Sequence, residues 1–160
     1  MAKELRFVCD HMLGALARWL RLLGHDTLYP GLLEDSELLR LARAEGRLLL
    51  TRDKELASRA GELGVLIKSV RLDEQLEQLR ASGLLPLDDE SALTRCSLCN
   101  SLLEDMTREE ARGRVPEAVF ERQSEFWRCS GCGQIYWPGS HYDRILQRLE
   151  RIERGGKGSD

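Results

Sequence analysis

Residues 6–29, RFVCDHMLGALARWLRLLGHDTLY, contain a short apolar run, a longer segment and a second short run. In the longer segment apolar side chains recur three or four residues apart, at Met12, Leu13, Leu16, Trp19, Leu20 and Leu23. This spacing predicts an amphipathic helix, and Gly24 is a suitable residue to end it. The stretch therefore predicts a strand, a helix and a second strand.

The same alternation continues to residue 83. We predict strands at 5–10, 25–30, 47–51 and 65–70, and helices at 11–24, 34–46, 53–64 and 71–83. Strands that alternate with helices through short links form a parallel sheet covered by helices. The predicted fold class is therefore α/β, with a parallel sheet flanked by helices.

Composition and length set the limits of this prediction. The chain has 160 residues, of which 42% are hydrophobic, so it is long enough for one core and a small appendage. We predict a first domain at 1–84, a linker at 85–94, a cysteine-containing unit at 95–150 and a disordered tail at 151–160. No apolar run approaches the roughly 18–20 residues that cross a bilayer, and the first residues lack a secretory pattern. We expect a soluble, cytoplasmic protein with no membrane partner.

The formal charge is −3, which neither indicates nor excludes nucleic acid as a partner. Residues 1–94 carry 13 basic and 16 acidic side chains, and residues 95–160 carry 11 of each. An acidic site is therefore expected in the first domain.

Three acids lie where the predicted strands end or the predicted helices begin. Asp10 ends the first strand, Asp35 begins the helix after the second strand, and Asp53 follows the third strand. Because the carboxyl ends of parallel strands share one edge of the sheet, we expect the three carboxylates to converge there. Converging carboxylates repel one another unless a cation neutralises them.

Mg²⁺ and Mn²⁺ are the cations that favour such oxygen ligands. A site of this kind can activate water and stabilise the charge of a phosphoryl displacement. Helix capping is the alternative for Asp35 and Asp53, since each stands at a helix start. We interpret His11 as a turn residue rather than a ligand, and Cys9 as a buried thiol.

Four of the five cysteines form two pairs, Cys96-x2-Cys99 and Cys129-x2-Cys132. In a chain without an export pattern, two CxxC pairs favour a tetrahedral zinc site over disulfides; an iron–sulfur cluster is the alternative metal group. The 29 residues between the pairs exceed the usual spacing, so an insert is expected. The segment MTREEARGRV (106–115) fits this insert, with Thr107 and Glu110 placed as a capping box.

The segments FVCDHMLGALARWLRLLGHDTLY, LLTRDKEL, EQL, RCSLCN and CGQIYWPGSH together resemble the Mut-seven C-terminal RNase family. The likeness covers roughly residues 5–150 and implies a PIN-like nuclease domain followed by a zinc ribbon. PIN-like nucleases cut RNA with clustered acids and Mg²⁺ or Mn²⁺. By this resemblance Asp10, Asp35 and Asp53 match the acids of that site. The fourth acid of a full PIN site has no clear match, and the candidates are Glu37, Glu55 and Asp73.

Together these patterns lead to the hypothesis of a metal-dependent ribonuclease that hydrolyses RNA phosphodiesters. A structural zinc ribbon would help to hold single-stranded or structured RNA. Aromatic rings can stack on unpaired bases and arginines can bind phosphates, so the candidate RNA-binding residues are Arg52, Arg128, Tyr136, Trp137 and His141. The rings can equally pack the ribbon against the first domain. Two other functions stay open, a non-catalytic RNA-binding module with an incomplete acidic site and a docking module for a larger assembly.

Overall fold

The computed structural model describes residues 5–85 and 94–139, together with residues 143, 144, 147, 150 and 151. Most of the predicted linker, at 85–94, lies outside the described residues. The same holds for almost all of the predicted tail, at 151–160.

The predicted alternation of strands and helices is confirmed up to residue 81. In chain order the elements are β1 (Phe7–Cys9), α1 (Gly14–Leu22), β2 (Thr27–Leu28), α2 (Asp35–Glu45), β3 (Leu48–Thr51), α3 (Lys54–Ala60), β4 (Gly64–Leu66), α4 (Leu72–Ala81), β5 (Leu103–Met106), α5 (Arg108–Ala111), α6 (Glu117–Arg122), β6 (Phe126–Cys129) and β7 (Ile135–Tyr136). Turns of 3₁₀ helix precede α1 and follow α3. The fold class is α/β, as predicted.

The helix predicted at 53–64 is wrong at its end. Helix α3 ends at Ala60, and β4 already begins at Gly64. Gly61 adopts a φ of 63°, which favours glycine and breaks the helix. Gly64 packs so closely on α3 that a Cβ atom there would lie 2.1 Å from the carbonyl oxygen of Ala57. The two glycines therefore allow the chain to turn sharply into β4.

The first four strands form one parallel sheet in the order β2-β1-β3-β4. Successive side chains of a strand point to opposite faces. Phe7 and Cys9 of β1 therefore pack in the cluster that contains residues of α1 and α4, whereas Val8 packs in the cluster that contains residues of α2 and α3. The sheet is covered on both faces, and the predicted burial of Cys9 is confirmed.

The residues after 94 form a smaller antiparallel sheet in the order β5-β6-β7. Its core is small, with Met106, Ala111 and Phe126 buried together. The insert between the cysteine pairs contains the predicted capping box, since Thr107 and Glu110 each accept from the other's backbone N–H. The predicted helix start in the insert is thus confirmed.

The smaller sheet packs against the first. Trp127 of β6 contacts the core cluster between the large sheet and α1. The buried Arg21 of α1 donates from Nη1 to the carbonyl of Ser97 at 2.9 Å. The two sheets are therefore joined by apolar and polar contacts.

Over the described parts of the chain, no helix has both the length and the apolar character to cross a membrane.

Candidate nuclease site and cysteine cluster

The order of the strands creates a crevice between the carboxyl ends of β1 and β3. The chain leaves β1 towards β2 on one side and returns across β1 to β3 on the other. Helix α1, after β1, packs on one face of the sheet, and α3, after β3, packs on the other. In parallel α/β sheets this switch point is the usual place for a ligand.

Asp10 lies at this switch point and is only 8% exposed. Its backbone N–H donates to the carbonyl of Leu50 at 3.0 Å, which continues the pairing of β1 with β3. Its Oδ1 accepts from the backbone N–H of His11 at 2.7 Å, and its Oδ2 accepts from the Thr51 hydroxyl at 2.9 Å. The carboxylate is therefore held in one orientation from both sides.

Thr51 links Asp10 to Asp53. Its Oγ1 donates to Asp10 and accepts from the backbone N–H of Asp53 at 3.0 Å. Asp53 is exposed, and its Oδ1 caps α3 by accepting from the N–H groups of Glu55 and Leu56 at 2.9 and 3.3 Å. Asp53 thus caps a helix and also belongs to a hydrogen-bonded chain that reaches Asp10.

Asp35 lies apart from this chain. It is the first residue of α2, but Glu34 is the N-cap and forms a capping box with Glu37. The Asp35 side chain is 48% exposed, and its Oδ2 lies 3.9 Å from Nη1 of Arg59. It borders an open depression of about 640 Å³ beside the start of α2.

The three acids do not form a compact group. Among the described residues, only the four paired cysteines place three or more ligand atoms of His, Cys, Asp or Glu within 4.8 Å of one another. The convergence of Asp35 with Asp10 and Asp53 on one bound ion stays a prediction.

The candidates for a fourth acid lie in three different places. Glu37 is engaged in the capping box of α2, and Glu55 is exposed in the first turn of α3. Asp73 lies in the first turn of α4, which follows β4, and its Oδ2 is 3.5 Å from Nη1 of Arg151. Of the three, Asp73 begins a helix after the strand that neighbours β3.

The charge around Asp10 and Asp53 suits a cation. Across the described residues, no lysine or arginine nitrogen lies within 4.0 Å of either carboxylate, and the one basic partner is Nδ1 of His11, 3.0 Å from Asp10 Oδ1. Burying a carboxylate such as that of Asp10 is costly unless it is paired or binds a cation. Carboxylate oxygens beside a hydroxyl are ligands that Mg²⁺ and Mn²⁺ accept. The residues present therefore fit a hard divalent cation.

The four paired cysteines form a second candidate metal site. The Sγ atoms of Cys96 and Cys132 lie 3.7 Å apart, and those of Cys99 and Cys129 lie 3.3 Å apart. Zn–S bonds of about 2.3 Å place tetrahedral sulfurs about 3.8 Å apart. The backbone N–H groups of residues 131 and 132 both donate to Cys129 Sγ at 3.3 Å. The predicted pairing of the two CxxC turns is confirmed, and its geometry fits zinc.

The thiols have opposed pKa shifts. Hydrogen bonds from the side chain and backbone of Ser101 lower the pKa of Cys99 to about 6. The Gln134 backbone acts to lower the pKa of Cys132, but loss of solvation and the neighbouring thiols raise it to about 12. Four thiols this close cannot all ionise without a cation between them. A cation bound among the four sulfurs would allow all of them to ionise.

The candidate RNA-binding residues near the cysteines have contacts within the protein. The Tyr136 hydroxyl lies 3.1 Å from Cys96 Sγ and accepts from the backbone N–H of Ser97 at 3.2 Å. Trp137 packs against the small core around Phe126. These contacts lie within the small sheet and its cysteine turn, whereas Trp127 is the ring that packs against the core of the first domain.

The remaining candidates differ in what surrounds them. Arg128 donates to Glu104 at 3.1 Å and lies 3.5 Å from Glu110. His141 lies outside the described residues. Arg52, next to Thr51, is partly buried, and its Nε has no hydrogen-bond partner within the described ranges.

Comparison with known proteins bears on this geometry. The model of the family described as the Mut7-C RNAse domain matches residues 5–149. A human protein named exonuclease mut-7 homolog is 30% identical over 105 residues, which are 62% of this chain. The match covers only 12% of the length of that human protein. No solved structure matches the chain.

Proposed function

The chain belongs to the Mut7-C RNAse domain family, and on this premise we propose that it is a metal-dependent ribonuclease that hydrolyses RNA phosphodiesters. The family name indicates a nuclease, that is, a hydrolase of nucleic acid. We place the reaction at the crevice between the carboxyl ends of β1 and β3.

The observation that carries the proposal is the state of Asp10. Its carboxylate is buried at the switch point of the sheet, and no arginine or lysine of the described residues neutralises it. Both of its oxygens are oriented, one by the backbone of His11 and the other by the Thr51 hydroxyl. A buried carboxylate held in this way, with His11 Nδ1 as its one basic neighbour among the described residues, is suited to bind a cation.

Asp10 and Asp53 would hold Mg²⁺ or Mn²⁺, with Asp35 as the third acid. When bound, the ion supplies an activated water and neutralises the charge that develops on the phosphate. Thr51 acts through Asp10, because its hydroxyl fixes the direction of Oδ2. The α3 N–H groups engage Oδ1 of Asp53 and thereby fix the orientation of its second oxygen.

We propose a structural role for the cysteine cluster, with one zinc ion bound by Cys96, Cys99, Cys129 and Cys132. Support comes from the sulfur distances and from the N–H donors that point at Cys129. Zinc would supply much of the folding energy of this small sheet, since its own apolar core is small. Contact of the ribbon with RNA, through residues such as Trp137, is part of the same proposal.

The test is cleavage of labelled RNA with Mn²⁺ by wild type, Asp10→Asn and Asp53→Asn. We expect both variants to lose activity by orders of magnitude, because each loses a charge that the cation needs. Asn is as good an N-cap as Asp, so the stability of Asp53→Asn should match that of wild type. EDTA is a poor control here, since it can also remove zinc from the cysteines.

The substrate should be supplied in linear and circular form with the same sequence. The human relative is named an exonuclease, and a circular RNA has no end from which an exonuclease can begin. If wild type cleaves neither form at any metal concentration, or if Asp53→Asn cleaves as fast as wild type, the nuclease proposal is wrong. RNA binding without cleavage would then identify a binding module.

A further inference from the structure

Arg52 stands between the two residues that connect the acids. It follows Thr51, whose hydroxyl holds Asp10, and precedes Asp53, which caps α3. Despite this position, no carboxylate oxygen of the described residues lies within 4.0 Å of a nitrogen of Arg52. The guanidinium is therefore not an internal counter-ion of the acidic site.

The Nε atom of Arg52 is shielded from solvent and has no hydrogen-bond partner among the described residues. Buried polar groups in folded proteins are almost always paired, so each exception requires an explanation. Since Nε is hidden, the exposed surface of this partly buried residue belongs to its other atoms. The residue thus follows the last residue of β3 with part of its donor capacity unused.

Two other arginines before residue 94 stabilise the fold through hydrogen bonds of their guanidinium groups to protein atoms. Arg21 donates from Nε to the carbonyl of Thr27 at 2.8 Å. Arg47 donates from Nε to Glu45 at 2.7 Å and from Nη1 to Asp26 at 2.9 Å. Both residues are buried and both have protein partners. Arg21 and Arg47 each use Nε to bind a group of the protein, whereas Nε of Arg52 has no such partner among the described residues. An unpaired donor of this kind is expected where the partner is a ligand.

We propose that Arg52 binds a non-bridging phosphate oxygen of RNA at the crevice, adjacent to the acids. The inference rests on the proposed nuclease function and identifies the residue that positions the phosphodiester there. The edge of a guanidinium that includes Nε can donate two parallel hydrogen bonds to a phosphate. Because Nε is hidden in the free protein, the side chain turns outward when the phosphate arrives and exchanges an unpaired donor for a charged partner.

The charges of Asp10 and Asp53 explain why a positively charged side chain would be needed to hold the RNA phosphate. Asp10 and Asp53 repel a phosphodiester until a divalent ion is present. Arg128 of the ribbon is engaged with Glu104 and Glu110, and Arg59 faces Asp35. Arg52, next in sequence to Thr51 and Asp53, has no such carboxylate partner among the described residues.

The experiment measures RNA binding separately from cleavage. Asp53→Asn serves as a background that does not cleave, and a fluorescent single-stranded oligoribonucleotide is titrated at several salt concentrations. Arg52→Gln and Arg52→Lys are compared in this background. Arg18→Gln is the matched control, since Arg18 is an exposed arginine within α1 and its substitution changes the net charge equally.

We expect Arg52→Gln to weaken binding roughly tenfold, and Arg18→Gln to leave it unchanged. Loss of one phosphate contact on single-stranded nucleic acid should reduce the salt slope of log K by about 0.7. Arg52→Lys should restore only part of the affinity. It keeps the positive charge but lacks the two parallel N–H donors of the guanidinium. With Asp53 restored, Arg52→Gln should slow cleavage at low RNA concentration more than at saturation.

The unfolding midpoint separates this role from a structural one. Because the Arg52 guanidinium has no hydrogen-bond or carboxylate partner in the described part of the chain, the unfolding midpoint of Arg52→Gln should equal that of its background or exceed it. A lower midpoint, or affinity and salt slope equal to those of Arg18→Gln, would overturn the inference while wild-type cleavage still stood. If wild type fails to cleave RNA but Arg52→Gln still loses affinity and slope, the nuclease proposal fails and the phosphate site stands.

Discussion

Asn100, in the first cysteine turn, donates from Nδ2 to the carboxylate of Asp26 at 2.7 Å, across 74 residues of sequence. The Oδ1 of the same side chain accepts from the backbone N–H of Thr27 at 3.0 Å. Strand β2 is the edge of the parallel sheet, and an edge strand has backbone groups without a strand partner. The cysteine turn thus pairs part of the edge of the parallel sheet.

Substitution of Asn100 tests this connection. Asn100 has a φ of 73°, which glycine adopts without strain. Asn100→Gly therefore removes the two side-chain hydrogen bonds and retains the backbone. We expect a loss of about 1–3 kcal/mol in the free energy of unfolding, measured by denaturant titration of the zinc-loaded protein.

Asn100→Ala is the informative companion variant. It loses the same hydrogen bonds and adds backbone strain, so it should be less stable than Asn100→Gly. If Asn100→Gly is as stable as wild type, the turn does not stabilise the edge of β2.

Asp26 predicts how the protein responds to acid. Burial acts to raise its pKa, but hydrogen bonds from Arg47 and Asn100 hold the pKa of Asp26 below its usual range. A carboxyl whose folded pKa is lowered stabilises the fold above its unfolded pKa, near 3.9, and loses this contribution as the pH falls through the folded pKa. The stabilisation is therefore complete at about pH 5 and above.

The measurement is the difference in unfolding free energy between wild type and Asp26→Asn. We expect it to be constant from about pH 5 to 7 and to shrink below about pH 4. Other carboxyls with lowered pKa values, such as Glu77 and Glu109, titrate in both proteins and cancel in the difference. A difference that grows as the pH falls would contradict the assignment.

The parts of the fold that depend on local pattern could be predicted from the sequence. The apolar periodicity of residues 12–23 predicts α1, and the alternation of strands and helices predicts a parallel sheet, because both follow from neighbours along the chain. The same topology predicted Asp10, Asp35 and Asp53 at one edge, and in the structure Thr51 connects two of them, Asp10 and Asp53. The CxxC pairs predicted the sulfur cluster, because each pair needs only a tight turn.

The contacts that define the sites depend on residues far apart in sequence. Thr51 reaches Asp10 over 41 residues, and Tyr136 reaches Cys96 over 40. Threonine at the end of a strand and tyrosine within a strand are both common. The sequence therefore does not reveal which distant side chain either of them contacts. The use of Glu34 rather than Asp35 as the cap of α2 likewise depends on a side-chain geometry that two adjacent acids do not distinguish.

Thr51 offers a test of how the acids are held. Thr51→Val keeps the shape but leaves Asp10 Oδ2 and the Asp53 N–H without the hydroxyl between them. We expect a loss of about 1–3 kcal/mol in unfolding free energy and a marked fall in RNA cleavage at saturating Mn²⁺.

Thr51→Ser is the control, because it keeps both hydrogen bonds and loses only a buried methyl group, worth about 1 kcal/mol. It should retain most of the cleavage activity. Equal activity in the serine and valine variants would show that the hydroxyl does not position Asp10.

The Tyr136 hydroxyl should tune the cysteine cluster. Burial and, after it, the hydrogen bond with Cys96 raise the pKa of Tyr136 to about 12, so the hydroxyl keeps its proton at neutral pH and can donate to the Cys96 sulfur. Donors to a metal ligand typically contribute tenfold to a hundredfold in metal affinity. We therefore expect Tyr136→Phe to bind zinc about tenfold more weakly, measured by competition with a chromophoric chelator.

Tyr29→Phe is the matched control, since it also loses one hydroxyl, which donates to the His11 carbonyl at 2.6 Å, away from the sulfurs. Zinc affinity should be unchanged in that control, and equal losses in the two variants would mean that the tyrosine acts on the fold rather than on the metal ligand.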